Sequence, residues 1–348
     1  MSLTIIPGVA TMKITGFEYR TVSIPFLPAI QEHSGMEYPT TLVWVHTDEG
    51  LTGLGESNAL HSDITDQADS IAERYVGKNL WDIDLSSESF TFQSAFYDLA
   101  GQALGVPAHK LIGEKHRDSV ELAYWSPPMP PEATAAEAER AADLGFRVHK
   151  LKARKANIVE TSRLIKEACG PDFGIRVDPN TEFGDLETGL RLAEALLPYN
   201  IEVYEDPIRF EDLSWYRQMR EKVEVPVARH IGGPQEILEN IRADAVDAVN
   251  TFGNVAGLRK SAAVAEAAGL PIWVQVFAFG SCVASTFAAH MVCTIPNCTM
   301  PIDELPHIRV DDLSGGSMDL SNGAINLTDA PGLGISLDMA AVERYRIR

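Results

Sequence analysis

Cysteine is scarce in this sequence. Four of its 348 residues are cysteines, and no two of them have the Cys-x-x-Cys spacing of a zinc ribbon or a redox motif. A disulfide-stapled fold needs more cysteines in a much shorter chain. We therefore expect reduced thiols in the core of the protein at Cys169, Cys282, Cys293 and Cys298.

Long apolar runs and positive charge are also lacking. No apolar run approaches the ~18 residues that cross a bilayer, and the first residues lack the basic-then-apolar pattern of a secretory signal. Lysine and arginine number 29 against 49 aspartates and glutamates, a net charge of −20. This balance disfavours nucleic acid, because a phosphate backbone attracts clustered cations. We predict a cytoplasmic protein that binds neither membranes nor nucleic acid.

The chain has 45% hydrophobic and 22% charged residues, as ordinary globular proteins do. Its length accommodates one barrel of about 250 residues and a smaller unit. We place an α+β capping domain over 1–118, where strand patterns pair through the turn at 48–50 and helical patterns follow. Within it, the lid-like loop 25–39 is rich in proline, glycine and polar residues. Such a loop is typical of a disordered connector or of a mobile lid, and both interpretations stay open.

From Val120 onward, short β-branched runs alternate with amphipathic stretches of helical length. This α/β alternation predicts parallel strands joined by helices, and eight strands at this spacing favour a (β/α)8-type, modified TIM barrel over a doubly wound sheet. We assign 119–312 to the barrel and 313–348 to a C-terminal segment that packs back on the capping domain. The predicted strands lie near 120–124, 147–152, 174–179, 201–205, 226–230, 247–251, 271–276 and 299–303.

Two lysines, Lys150 and Lys152, end the second predicted strand. Residues i and i+2 of a strand point the same way, so both ammonium groups enter one space. Neighbouring positive charges favour the loss of a proton, which makes one member of such a pair a usable base. Two solvated lysines at a strand end are the alternative that the spacing leaves open.

Oxygen-bearing side chains follow the next two predicted strands, at Asp178, Asn180 and Glu205. The carboxyl ends of parallel strands meet at one rim of a barrel. Carboxylates from separate strands suit Mg²⁺, which takes one or two of them together with water and substrate oxygens. Acidic loop residues paired with arginines are the alternative.

Together these motifs resemble the enolase superfamily, specifically its mandelate racemase and muconate lactonizing enzyme branches. Lys-Leu-Lys, Val-Asp-Pro-Asn and Glu-Asp-Pro occur here in that order. The resemblance covers nearly the whole chain. Gly53-Leu54-Gly55-Glu56 closes a hairpin similar to that of the family's first domain, 98–107 is similar to its helix and following turn, and 329–334 is similar to its closing segment.

The resemblance implies a reaction and a set of roles. Members of this family abstract the proton α to a carboxylate and bind the enolate on Mg²⁺. The implied base is Lys152, with Lys150 beside it tuning the base or touching the substrate carboxylate. Asp178 and Glu205 would be metal ligands and Asn180 a supporting group. Negative charge developing on enolate oxygens needs such a fixed cation. The resemblance also implies a small-molecule carboxylate substrate and a homo-oligomer.

The sequence departs from the family's pattern at three strands. Where the fifth strand should carry a third carboxylate, this chain has His230, and imidazole is a poor ligand for Mg²⁺. His230 is a doubtful third ligand, a structural residue or a hydrogen-bonding partner of the substrate, and the metal site is incomplete. On the sixth strand, Thr251 replaces a lysine or aspartate. On the seventh, Gln275 replaces the histidine of racemase-type enzymes, so the side opposite Lys152 lacks an ordinary base.

Other polar residues are candidates for substrate binding. Arg229 has a side chain that can form a bidentate pair with a carboxylate, and Glu304 stands where the family often has a carboxylate on the eighth strand. His33 and Tyr38 belong to the lid-like loop, and His61 follows the hairpin. For each of them a structural role is the alternative.

A single good base favours one class of reaction. Racemisation needs a group on each face of the enolate, whereas β-elimination can use one lysine that removes the α-proton and then protonates the leaving hydroxide. We therefore predict dehydration of a sugar acid or related hydroxy acid. The alternatives are a racemase or epimerase of a small acid or amino-acid derivative, a cycloisomerase, and a non-catalytic family member that lacks the metal and only binds or assembles.

Overall fold

The computed structural model describes residues 11–35, 37–58, 63–275 and 279–348. It begins with an antiparallel three-stranded sheet in the order β1-β2-β3. Its elements are β1 (Ile14–Val22), α1 (Pro28–Ser34), β2 (Thr40–Thr47) and β3 (Thr52–Asn58). The turn between β2 and β3 has Gly50 at a φ of 78°, a left-handed conformation that glycine adopts without steric cost.

Three helices follow this sheet: α2 (Ala68–Tyr75), α3 (Phe90–Leu104) and α4 (His109–Ile112). Helix α3 lies directly against β3, where a Cβ added to Gly53 would come within 2.2 Å of the Ala95 carbonyl oxygen and one added to Gly55 within 2.5 Å of the Thr91 oxygen. The close approach of the α3 backbone therefore requires both glycines of the Gly-Leu-Gly-Glu motif.

A curled, seven-stranded parallel sheet forms the barrel, with neighbours in sequence order from β5 to β11. Side-chain oxygens of Asp185, Asp212 and Asn254 cap three of the surrounding helices and fix where they begin. The strands are β5 (Tyr124–Ser126), β6 (Val148–Lys152), β7 (Gly174–Asp178), β8 (Ile201–Glu205), β9 (Val227–Ile231), β10 (Ala248–Thr251) and β11 (Ile272–Val274). The helices are α5 (Pro131–Asp143), α6 (Ile158–Cys169), α7 (Leu186–Leu196), α8 (Leu213–Lys222), α9 (Pro234–Arg242), α10 (Val255–Ala267) and α11 (Cys282–Val292).

The fold is the predicted (β/α)8-type barrel, but its first and eighth strands differ from the prediction. The stretch 120–124 divides: β4 (Ser119–Glu121) joins β12 (Asp319–Ser321) and β13 (Ala324–Asn326) in a small antiparallel sheet, and β5 begins the barrel three residues later. The stretch 299–303 contains no strand. It closes the barrel through single bridges, Leu122 to Ile302 and Ile272 to Cys298.

Most of the lid-like loop 25–39 is ordered, since α1 occupies its middle. Ile30 of this helix packs with Phe26, Trp125 and Leu305 in a hydrophobic cluster. The guanidinium of Arg309 donates hydrogen bonds to the carbonyl oxygens of Ile24, Tyr38 and Phe279, at 2.6, 2.8 and 2.6 Å. These contacts attach the loop to the barrel.

The three outlying motifs of the sequence meet at Asp98. Its carboxylate accepts hydrogen bonds from the backbone N–H of Leu54, at 2.9 Å, and of Leu333, at 2.8 Å. Helix α12 (Met339–Tyr345) and the residues after it return to β1, where Ile347 N–H donates to the Thr21 oxygen. The hairpin, α3 and the closing segment thus form one assembly around a single buried carboxylate.

All four cysteines are free, as predicted, and three of them are buried. Within the described ranges, no helix is both long enough and apolar enough to cross a membrane.

Candidate active site

A cluster of opposite charges lies at the carboxyl ends of the barrel strands. The ammonium nitrogen of Lys150 is 2.6 Å from Asp303 Oδ2, 2.8 Å from Glu205 Oε2 and 3.2 Å from Asp178 Oδ2. These three carboxylates come from β7, β8 and the segment that closes the barrel. The Lys150 side chain is 2% exposed and each carboxylate 2% or less. We call Lys150, Lys152, Asp178, Glu205 and Asp303 the lysine–carboxylate cluster.

Asp303 is the best supported member of this cluster. Its Oδ1 accepts a hydrogen bond from the Arg176 guanidinium at 2.9 Å, and its Oδ2 accepts one from Trp273 Nε1 at 2.9 Å. Asn250 Nδ2 donates to both Glu205, at 2.7 Å, and Asp303, at 3.3 Å. The guanidinium of Arg176 also lies over the Trp273 ring, 4.4 Å from its centre. Asp303 therefore has the partners that the burial of a charge requires, whereas Glu205 Oε2 is buried and accepts no hydrogen bond from the described residues.

The charges of the cluster set its ionisation. Burial by itself would lower the pKa of Lys150, but the carboxylates of Asp303, Glu205 and Asp178 outweigh it and hold that pKa above its usual value. Burial and the negative charge of Asp178 raise the pKa of Glu205 to about 7. The pKa of Asp303 stays below its usual value because Lys150 and Arg176 outweigh the cost of burial. Lys150 is thus a fixed cation and not a neutral base.

Lys152 differs from Lys150 in its surroundings. Its ammonium nitrogen lies 2.5 Å from Asp178 Oδ2, its one ion-pair partner among the described residues, and its side chain is 23% exposed. An amine with access to solvent can exchange its proton and move toward a ligand. The two lysines share one face of β6, as the spacing predicted, but one is enclosed and the other is accessible.

Lys152 opens into a cavity of about 310 Å³ between α1, the adjoining loop and the barrel. The barrel contributes charged and polar groups, while Tyr38, Trp125 and Phe279 form an aromatic wall. Tyr38 stacks on Phe279 with 4.1 Å between ring centres, and Trp125 meets Phe279 edge-on at 5.5 Å. The remaining lining residues are His33, Ser34, Pro127, Pro128, Lys150, Arg154, Asn180, Gln275, Asp303 and Leu305.

The structure brings many of the predicted site residues to this cavity. Lys150, Lys152, Asn180 and Gln275 line it from the barrel, and His33 and Tyr38 from the loop that contains α1. Asp178 and Glu205 lie behind them in the cluster. His61 is outside the described residues.

Two predicted substrate-binding residues point elsewhere. Arg229 donates a hydrogen bond to Asn240 Oδ1 at 2.9 Å and lies over the rings of Phe210 and Tyr216, on the helix side of β9. Thr251 donates to the carbonyl oxygen of Ile231 at 2.8 Å and is fully buried. Side chains alternate along a strand, so each is one residue away from the face that carries His230 on β9 and Asn250 on β10.

His230 and Glu304 are the two remaining predicted site residues, and their roles stay predictions. Burial lowers the pKa of His230 to about 4, so its imidazole is neutral at ordinary pH. The ring meets Phe252 edge-on, and the backbone N–H donates to Asp206 Oδ1 at 3.3 Å. Glu304 is buried, but the carboxylate that joins the cluster from this segment is that of its neighbour Asp303.

The candidate ligands Asp178, Glu205 and His230 do not form a three-ligand metal site. In the described part of the chain, no three His, Cys, Asp or Glu side chains are arranged to hold a metal ion. The third position, His230, presents a nitrogen that suits Mg²⁺ poorly. The ammonium of Lys150 lies where Asp178 and Glu205 converge. The donor set therefore does not fit Mg²⁺.

Strained backbone marks this rim of the barrel. Asn180 and Asp206 have φ values of 47° and 43°, and Thr181 has 66°, in the left-handed region that residues other than glycine rarely adopt. The backbone N–H of Thr181 donates a hydrogen bond to the backbone carbonyl oxygen of Asp206 at 2.7 Å, which connects the loops that follow β7 and β8. Such strain is typical of functional sites.

Sequence reasoning missed several residues of the site. Arg176 lies two residues before Asp178 and shares its face of β7, and Asn250 and Trp273 are paired in register with each other. Strand alternation would have found all three. No local signal points to Arg154 or Phe279, because loop geometry brings them to the cavity, and Trp125 lies in β5, a strand of three residues that is too short to show a periodicity.

Comparison with known proteins identifies the family of the chain. A family model described as enolase C-terminal domain-like matches residues 133–341. The chain is 25% identical to L-Ala-D/L-Glu epimerase of Bacillus subtilis, an alignment that covers 93% of this chain and 97% of the relative. It is 26% identical to D-xylonate dehydratase of Haloferax volcanii, over 89% of this chain and 86% of the relative.

The fold is shared with solved structures. One is the dipeptide epimerase of Enterococcus faecalis complexed with Mg and the dipeptide L-Leu-L-Tyr, with a TM-score of 0.79 and 22% identity over 94% of this chain and 99% of that one. The relatives are enzymes, both isomerases and dehydratases. The family model matches more than half of the length of this chain. The chain therefore belongs to the enolase C-terminal domain-like family, in the superfamily of mandelate racemase and muconate lactonizing enzyme.

Proposed function

We propose that this protein removes the proton α to the carboxylate of a small hydroxy acid with Lys152 and then eliminates water. The observation that carries the proposal is the contrast between its two lysines. Lys150 is buried and forms ion pairs with three carboxylates, whereas Lys152 borders the cavity and keeps partial solvent access. One accessible amine favours a one-base reaction.

The cationic end of the cavity suits a carboxylate substrate. Lys152 and Arg154 both line it, and a guanidinium can hold a carboxylate through two parallel hydrogen bonds. The Asn180 side chain lies in the same lining and offers an amide donor. A substrate bound by Arg154 and Asn180 would present its α-carbon near Lys152.

Proton transfer then follows in two parts. Lys152 loses its resting proton to solvent and, as the neutral amine, takes the α-proton while the electron pair moves into the carboxylate. The resulting enolate expels hydroxide from the β-carbon, and the ammonium of Lys152 gives that hydroxide a proton, which releases water. When the α-carbon of the substrate also carries a hydroxyl, as in a sugar acid, the product is an enol, which tautomerises to a 2-keto acid. No step is assigned to a divalent ion, because the donor set does not fit one.

Epimerisation of an amino-acid derivative is the second candidate. The aromatic wall, with Pro127, Pro128 and Leu305, gives the cavity an apolar side that suits a hydrocarbon side chain better than a polyol. The similarity to L-Ala-D/L-Glu epimerase of Bacillus subtilis along 93% of the chain favours the same reading. His33 lines the cavity and is the described residue that we would test as a second base.

Proton NMR in D₂O with pooled sugar acids and amino-acid derivatives tests the proposal. We expect loss of an α-proton signal with wild-type protein, no loss with Lys152→Met, and wild-type behaviour with Lys155→Met, a control at an exposed lysine. Formation of a 2-keto acid identifies elimination. Deuterium at the α-carbon without elimination identifies epimerisation, and His33→Gln then tests the second base. α-Proton loss that persists in Lys152→Met contradicts the role of Lys152.

A further inference from the structure

The lysine–carboxylate cluster contains a cation of its own. Lys150 Nζ lies within 3.2 Å of three carboxylates that three different chain segments supply. The ammonium donates hydrogen bonds to Glu205 and Asp303 and forms an ion pair with Asp178. This arrangement surrounds the nitrogen much as oxygen ligands surround a small metal ion.

Together with the neighbouring Arg176, the charges of the cluster are matched without an added ion. Three carboxylates, those of Asp178, Glu205 and Asp303, contact three cationic side chains, those of Lys150, Lys152 and Arg176. Glu202, on the other side of Arg176, is 19% exposed and partly hydrated. A divalent ion added here would lie against the ammonium of Lys150 in a site shielded from water, where repulsion between like charges is strong.

The surroundings hold Lys150 in this position. Asn250 bridges Glu205 and Asp303, and Trp273 Nε1 fixes Asp303 Oδ2, the oxygen nearest to Lys150. Arg176 fixes the other oxygen of Asp303. The two carboxylates cannot turn away from the ammonium without breaking these hydrogen bonds, so the cluster is preorganised around a lysine.

The contacts on strand β9, which would supply the third metal ligand, also argue against a bound divalent ion. The imidazole ring of His230 on β9 packs edge-on against Phe252, and its nitrogen is a poor ligand for Mg²⁺. The neighbouring carboxylate of Asp206 accepts the backbone N–H of His230 through Oδ1. Neither residue contacts Lys150 through any hydrogen bond or ion pair found among the described residues.

From these contacts we propose that the ammonium of Lys150 is the built-in cation of this site and takes the place of the divalent metal ion that the resemblance assigns to Asp178 and Glu205. The proposal concerns cation binding and stands apart from the choice of reaction. Lys150 would supply the positive charge at the floor of the cavity permanently, with no dependence on metal supply.

Titration calorimetry with Mg²⁺ and with Mn²⁺ tests the proposal on the full chain. Wild-type protein should bind neither ion at millimolar concentration, and its Tm should not rise when either is added. Lys150→Met removes the ammonium and leaves three carboxylates facing one space. That variant should bind Mn²⁺ at least about tenfold more tightly than wild type, because the repelling charge is gone. Lys155→Met, at an exposed lysine, should behave as wild type.

The outcomes separate this proposal from the proposed function. Stoichiometric Mg²⁺ binding by wild type that Asp178→Asn abolishes would overturn the built-in cation, as would folded Lys150→Met that gains no Mn²⁺ binding. If Lys150→Met does not fold, the wild-type titration decides alone.

α-Proton loss in D₂O with chelator present supports both proposals. Absence of metal binding together with absence of α-proton loss across the substrate pool counts against the reaction and leaves the built-in cation standing.

Discussion

The two sides of the cavity are built in different ways. On the barrel side, the lysine–carboxylate cluster is held by ion pairs and hydrogen bonds between buried groups. On the opposite side, the aromatic wall is held by ring contacts and by the three carbonyl hydrogen bonds of Arg309. The first depends on charge and fixed direction, and the second on area and shape.

From this difference we infer that the barrel side carries out the reaction and that the aromatic wall selects the substrate. Charged groups that must stay in register with one another come from neighbouring strands, the stiffest part of the fold. Of the three residues of the aromatic wall, Tyr38 and Phe279 lie in loops, where variation is tolerated, and Trp125 lies in the short strand β5. Variants on the barrel side should therefore abolish the reaction or unfold the protein, and variants of the wall should change which substrate is accepted.

The largest effect is expected at Lys152. Lys152→Met keeps most of the apolar length of the side chain and removes the amine, so the rate of α-proton exchange should fall by about 10³-fold, within the range that general-base groups contribute. Deuterium incorporation measured by NMR on a substrate found in the pool gives the rate. The exposed control Lys155→Met should retain it, and an equal loss in both variants would break the assignment.

Stability should depend most on Asp303. Asp303→Asn leaves Lys150 and Arg176 without their shared charged partner, and losing one partner of a buried ion pair costs about 3–5 kcal/mol. Urea unfolding should show this decrease in the free energy of unfolding. The exposed residue Asp172, changed to Asn, is the matched control and should lie within about 0.5 kcal/mol of wild type. A small decrease in the free energy of unfolding of Asp303→Asn would mean that the cluster is more hydrated than its burial indicates.

A smaller effect on the free energy of unfolding is expected at acidic pH. It arises in α11, the helix that follows Phe279 of the aromatic wall. His290 of α11 accepts the backbone N–H of His109 at 3.2 Å, and burial lowers its pKa to about 4. Its neutral form is therefore favoured by folding. This stability is fully present above the unfolded pKa near 6.5 and is lost as the pH falls through that value toward 4, by up to about 3 kcal/mol.

Urea unfolding at several pH values checks this prediction. His290→Gln should lower stability at pH 7 and flatten the decline between pH 6.5 and 4. A decline as steep in the variant as in wild type would place the acid sensitivity at other buried histidines, such as His149 and His307, whose pKa values burial lowers to about 3.

The smallest change should come from the wall itself. Tyr38→Ala removes the ring that stacks on Phe279, a contact of about 0.5–1.5 kcal/mol beyond its buried area. KM should rise by about tenfold while kcat stays within about threefold, because the reacting groups are untouched. Steady-state kinetics with Tyr199→Ala as control measures this. A fall in kcat with unchanged KM would show that the wall takes part in the reaction instead of selecting the substrate.

The sequence predicted the cluster better than the wall, and the reason is local. Lys150, Lys152, Asp178 and Glu205 follow short apolar runs, and the carboxyl ends of parallel strands must share a rim. The same rule, applied with strict alternation, excludes Arg229 and Thr251 and selects Asn250. Those two predictions were wrong by a single residue, which on a strand is the difference between the barrel interior and the helix layer.

The eighth strand was harder to predict because its residues barely form one. Single bridges hold 298–303 in place, so neither length nor periodicity marks the segment. Choosing Glu304 over Asp303 followed from this, since two adjacent carboxylates without a defined strand give no alternation to choose between them. The neighbours Arg176, Trp273 and Asn250, which are distant in sequence, select Asp303.

By itself, the sequence determined the alternation of strands and helices, the order of the motifs and the shared face of the two lysines, because each follows from periodicity within a few residues. Only the tertiary structure decided which lysine is enclosed and which is accessible. That distinction depends on how many carboxylates reach each nitrogen, and those carboxylates come from chain segments up to 153 residues away. The burial of an atom and the electrostatic potential at it depend on residues from every part of the fold.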